Sequence, residues 1–111
     1  MNKKDIIEYC LTFPAAYEDY PFDANWAVMR HKTNKKSFAF IYELHGKLCV
    51  NLKCDPNEAD LLRQIYTDVI PAYHMNKEHW NTVIIGGDVP ESALFDMIKH
   101  SYDLIKPVIN I

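Results

Sequence analysis

Ser37-Phe-Ala-Phe-Ile-Tyr-Glu-Leu44, His45-Gly46 and Lys47-Leu-Cys-Val-Asn-Leu-Lys53 read as two strands and the tight turn between them. Phe38, Phe40, Tyr42 and Leu44 alternate along the first strand, which predicts that they share one face. In the second, Leu48, Val50 and Leu52 face one way, and Lys47, Cys49, Asn51 and Lys53 face the other. Gly46 tolerates the positive φ that two-residue hairpin turns need. Upstream, Trp26-Ala-Val-Met-Arg-His31 is a further strand, joined through the polar hairpin loop Lys32-Thr-Asn-Lys-Lys36. The expectation is an antiparallel meander with one buried face. Its core would be Phe38, Phe40, Leu48, Val50 and Leu52, packed against Leu62, Leu94 and Ile98.

Helical patterns flank the meander. Ile6, Ile7, Cys10 and Leu11 form an amphipathic stripe, with Asn2 placed to cap it and Phe13-Pro14 to close it. The Pro-bound run Tyr17-Glu-Asp-Tyr-Pro-Phe22 suits only a sheet edge. Asp55-Pro56 opens a second helix with Ala59, Leu62, Ile65 and Tyr66 on its apolar side. Pro90 opens a third, carrying Leu94, Met97, Ile98, Ser101 and Ile105, and Pro107 ends it. Between these two helices lies Ile70-Pro-Ala-Tyr-His-Met-Asn-Lys-Glu-His-Trp-Asn-Thr-Val83, the chain's densest run of polar and aromatic side chains. Asn76 is placed to cap a short turn over Lys77-Glu78-His79, and the pattern becomes extended from Trp80. The fold class is α+β: a meander plus a later strand in one antiparallel sheet, with helices on one face. Residues 1–111 read as one domain.

Composition narrows the function. No apolar run is long enough to span a bilayer, and Asp5 and Glu8 interrupt any signal-peptide core. The odd count of three cysteines reads as reduced thiols, hence a cytoplasmic location. A formal net charge of −3 offers nucleic acid no global attraction. The distribution differs: residues 26–54 hold six bases against one acid, a net of +5, on a body whose net is −8.

Two sets of residues stand out as candidate sites. Arg30, Lys32, Lys35, Lys36 and Lys47 are the right types to contact phosphates, set against a plain solvated hairpin that lysines keep from edge pairing. Asn51, Lys53, Tyr73, His74, Asn76, Lys77, His79 and Asn81 would form a patch for an anionic ligand if their strands lie close. The alternative for that patch is a polar network pinning the 70–80 segment to the sheet. Metal binding has weaker support, because no Cys-x-x-Cys or His-Glu-x-x-His spacing occurs. Nucleophilic catalysis has none, since no serine sits in a nucleophile elbow and Gly86-Gly87 is too short to cradle phosphate. No cofactor is implied.

Four motifs resemble the MmcQ/YjbR family of small bacterial proteins over nearly the whole chain. They are Tyr9-Cys-Leu-Thr-Phe-Pro14 with Glu18-Asp-Tyr-Pro-Phe22, then Val50-Asn-Leu-Lys-Cys-Asp-Pro56, then the Ile70–Val83 run, and Gly87-Asp-Val-Pro90 with His100-Ser-Tyr102. The resemblance implies a compact α+β domain of the double-wing DNA-binding, CyaY-like architecture, in which paired hairpins project from the sheet. The turns at 32–36 and 45–46 would be the wings. The expectation is therefore a non-enzymatic cytoplasmic domain that binds DNA weakly and without sequence preference. The alternative is a protein-interaction or small anionic-ligand module using the 70–81 patch. No catalytic residues carry over.

Overall fold

Asn2 opens the first helix, α1 (Lys3–Leu11), through a capping box: its side chain accepts from the Asp5 N–H, and Asp5 accepts from the Asn2 N–H. The elements that follow are β1 (Ala16–Asp19), β2 (Ala27–His31), β3 (Ser37–Leu44), β4 (Lys47–Lys53), α2 (Pro56–Ile65), β5 (Val69–Pro71), β6 (Trp80–Ile84) and α3 (Glu91–Ile105). These come from a computed structural model that describes residues 1–72 and 75–108. Asp55 caps α2, accepting from the N–H groups of Asn57 and Glu58, with Pro56 in the first turn.

The strands form one six-stranded antiparallel sheet in the order β1-β2-β3-β4-β6-β5. The His45-Gly46 turn has positive φ at both residues, 51° and 76°, as a right-twisted two-residue hairpin demands. β5 was not expected. Its Pro71 cannot donate to a ladder, and it sits on the edge where that loss is tolerated.

All three helices lie on one face of the sheet. Ile6 and Cys10 of α1 and Leu94, Met97, Ile98 and Tyr102 of α3 pack on Met29, Ile41, Val50, Leu52 and Val83. α2 is tied to the same face by Asn81, whose side chain donates to the Ala59 carbonyl and accepts from Arg63 at 2.6 Å. A β-bulge corrects the expected core. Met29 opposes Ala39 while Arg30 opposes Ser37, so Phe38 is an extra residue in β3. Phe38 thereby joins Ala39 and Ile41 under the helices, whereas Phe40 and Tyr42 point to the opposite face. Phe40 is only half-buried there.

The bulge leaves ladder groups that α3 satisfies. The buried Ser101 hydroxyl donates to the Phe38 carbonyl at 2.6 Å and accepts from the Lys53 N–H at 2.9 Å, bridging β3 to β4. Tyr102 donates to the Pro14 carbonyl, and His100 Nε2 accepts from the Asp55 N–H. The segment His100-Ser101-Tyr102 is thus a structural clasp. Gly87-Asp88 is another. Asp88 accepts from the N–H groups of Thr67 and Asp68, and Asp68 accepts in return from the Asp88 N–H. A Cβ at Gly87 would lie 1.5 Å from an Asp68 carboxylate oxygen, so any larger residue would displace that carboxylate from the clasp.

Candidate nucleic-acid interface

The face turned away from the helices, here the far face, is also buried at its centre, which corrects the expectation of one buried face. Asn51 is fully buried there and accepts hydrogen bonds from Tyr42 at 2.8 Å and Thr82 at 2.6 Å through one carbonyl oxygen. Its amide nitrogen donates to the Met75 thioether at 3.4 Å. Burial pushes the Tyr42 phenol above its ordinary range, although both hydroxyl and amide partners oppose the shift. Trp26 stacks on Tyr42 at 3.8 Å, and the exposed Phe22 meets Trp26 edge-on. Among the described residues no buried side-chain nitrogen or oxygen here lacks a partner, so the network ties the far face together.

Toward one end of the sheet the far face changes character. Strand pairing sets Tyr17 opposite Arg30, Arg30 opposite Ser37, and Lys53 opposite Trp80. Residues in register point to the same side, so Tyr17, Arg30 and Ser37 line up across β1, β2 and β3, and Lys53 and Trp80 across β4 and β6. With Ala39 opposite Leu52, the two sets stand at the same end of the far face as one row. The Arg30 guanidinium, which bonds both Asp19 and the Ser37 hydroxyl, confirms that shared face. Behind the row Phe40 meets Trp80 edge-on at 5.6 Å, both half-buried. The row spans four inter-strand steps, roughly 19 Å at the usual sheet spacing.

The β2–β3 loop stands at the same end, and it is docked rather than loose. Asn34 donates to the Ile105 carbonyl, the His31 imidazole accepts from the Thr33 N–H, and Lys35 adopts positive φ. Lys35 lies 5.3 Å from the centre of the Tyr17 ring, and Lys32 and Lys36 are exposed. In the connection between β5 and β6, Asn76 caps the expected turn by accepting from the Glu78 N–H, and the Lys77 carbonyl accepts from Arg63 of α2. None of these five lysines (Lys32, Lys35, Lys36, Lys53 and Lys77) has an ion pair among the described residues.

The proposed sites regroup accordingly. Arg30, Lys32, Lys35 and Lys36 stay together, and Lys53 of the other set stands at the same end of the sheet. Lys47 is separated from them, because the β2–β3 and β3–β4 turns lie at opposite ends of the eight-residue β3. The two hairpins therefore do not present one basic face. Asn51 and Asn81 also part company: Asn51 points to the far face and Asn81 to the helices, in adjacent strands. His79 is held by its backbone, its carbonyl accepting from the Cys54 N–H at 2.7 Å. Tyr73 and His74 lie outside the described residues. The aromatic half of the row, Tyr17, Phe40 and Trp80, was absent from both candidate sets. Counting far-face residues at one end of each strand would have found it, given the register.

Family comparison agrees with this fold. The YjbR family model matches residues 11–104. The chain belongs to the YjbR family. YjbR of Escherichia coli K12 is 34% identical over 102 residues, covering 92% of this chain and 85% of that protein. YyaQ of Bacillus subtilis is 31% identical over 118 residues, covering 96% and 99%. Among solved structures, a Pseudomonas syringae protein superposes with a TM-score of 0.85 at 30% identity, covering 96% of this chain and all of that one. A Deinococcus radiodurans protein with a DUF419 domain gives a TM-score of 0.83 at 31% identity, covering 92% and 76%. This YjbR domain thus shares its six-stranded α+β architecture with both.

Proposed function

We propose that this YjbR domain is a binding protein, not a catalyst, and that it takes single-stranded nucleic acid on the basic end of its far face. One observation carries the reading: the transverse row that sets Arg30 and Lys53 between Tyr17 and Trp80, with Phe40 behind. Unpaired bases stack on half-exposed aromatic rings, and lysines beside them neutralise the backbone. A duplex buries its base faces and has no use for such rings. The separation of Lys47 from the other bases counts against two wings gripping one duplex. The three unpaired buried thiols support a reducing compartment such as the cytoplasm.

Fluorescence anisotropy with a labelled single strand and its duplex tests the reading. Single-strand affinity is expected to fall with salt, and Lys36→Ala with Lys53→Ala should flatten the slope by about 1.4, at about 0.7 per contact. Trp80→Leu should weaken single-strand binding by about 1–3 kcal/mol and leave the salt slope unchanged. Tighter binding to the duplex would return the interface to the β2–β3 hairpin alone. No binding of either probe at low salt would end the nucleic-acid reading.

A further inference from the structure

On the helix side, α2 and α3 do not close over the sheet. They leave a cleft of about 610 Å³, within the range of small-molecule sites. Leu52 and Val83 floor it from the sheet, and Leu62 and Met97 wall it from the two helices. Its rim is acidic. Glu58 of α2 and Asp96 of α3 both line it, and neither has an ion pair among the described residues. Two cations stand near them, and one of these, Arg63 of α2, is held by the Asn81 side chain and the Trp80 carbonyl. Lys53, the last residue of β4, borders the cleft but belongs by register to the far face. His100 accepts a hydrogen bond at Nε2 from the Asp55 N–H, so that nitrogen carries no proton. The Cys54 thiol, also in the lining, is pushed up to about 11 by burial first and then by Glu58 and Asp55, with Arg63 opposing.

We propose that the α2–α3 cleft binds a small amphiphilic organic cation, an amine carried on an apolar or aromatic body. The apolar floor takes the body, and the Glu58 and Asp96 carboxylates take the ammonium as charge-assisted hydrogen-bond acceptors. The cleft opens on the helix side of the sheet, across from the far-face interface, and borders that interface at Lys53.

Amide NMR of the ¹⁵N-labelled full chain provides the test, with phenethylamine, 2-phenylethanol and phenylacetate as probes of one shape and three charges. Millimolar phenethylamine should shift Cys54, Ala93 and Met97 and leave the far-face strand positions in place. It should bind about tenfold more tightly than phenylacetate, with the alcohol between them. Glu58→Gln and Asp96→Asn should each reduce the amine's advantage while leaving the alcohol's affinity unchanged. Ala93→Phe should fill the cleft and abolish all three, and the far-face resonances report whether that variant is folded. Equal affinity for the three probes, or shifts outside the cleft, or none at all, would overturn the proposal.

Discussion

The two faces of the sheet are built by the same strands yet do opposite things. Under the helices lie Met29, Phe38, Ile41, Val50 and Val83, an apolar layer with no interior charge. The far face has a polar centre at Tyr42, Asn51 and Thr82, aromatic rings over it, and cations at one end. The outer surfaces differ as well. The helices covering the first face carry seven acids against four bases, while Arg30, Lys47 and Lys53 project from strands toward the second, with Asp19 paired to Arg30. The net charge of −3 is thus spread unevenly, with the acidic excess on the helix side. Partners of opposite sign can meet opposite faces without competing.

The sharpest way to break this comparison is to exchange its two phenylalanines. Phe38 is wholly buried beneath the helices and Phe40 is half-buried on the far face. Phe38→Ala should cost roughly 3–5 kcal/mol, the range for an aromatic cavity in a packed core. Phe40→Ala should cost only about 1–2 kcal/mol, in line with partial burial. Urea denaturation of both variants measures the gap, and a larger loss at Phe40 would refute the bulge.

A somewhat smaller effect tests whether the far face is held by polar bonds. Asn51→Ala strips the shared acceptor from two buried hydroxyls, and about 2–4 kcal/mol should be lost by the same measurement. A loss under about 0.5 kcal/mol, the scale of ordinary surface changes, would show that stacked rings alone secure that face.

The mildest effect concerns the clasp beside α3. Backbone donors from Asp68 and Thr67 hold the Asp88 carboxyl below its usual range. A depressed folded-state value means that the stabilisation is present above the ordinary carboxylate range and disappears as pH falls through the folded value. Thermal melts of wild type and Asp88→Asn should therefore differ at neutral pH and converge below about pH 4. A gap that ignores pH would remove the charge from the explanation.

Much of the fold was legible because its signals are local. Asn2 and Asp55 cap their helices through short-range bonds that any chain with those residues can form. Gly46 marks a hairpin by its own backbone freedom. Phe40 misled because strand alternation assumes an unbroken ladder, and one inserted residue flips the pattern upstream of it. The candidate sites were half-legible for a similar reason. The basic segment is contiguous in sequence, but Asn51 and Asn81 were grouped by polarity when only pairing register decides their sides.

What the sequence determined by itself was the order of elements, their caps and turns, the basic middle on an acidic body, and the resemblance to one family. Those properties follow from short-range sterics, hydrogen bonding and composition, which need no partner strand. The tertiary structure alone decided which end of each strand meets which neighbour. That put Tyr17, Arg30, Ser37, Lys53 and Trp80 into one row, sent Lys47 to the other end, and opened an acid-rimmed cleft between α2 and α3. Such groupings depend on register and helix docking. Both are set by the summed packing of residues far apart in the chain, where a shift of one position exchanges the two faces.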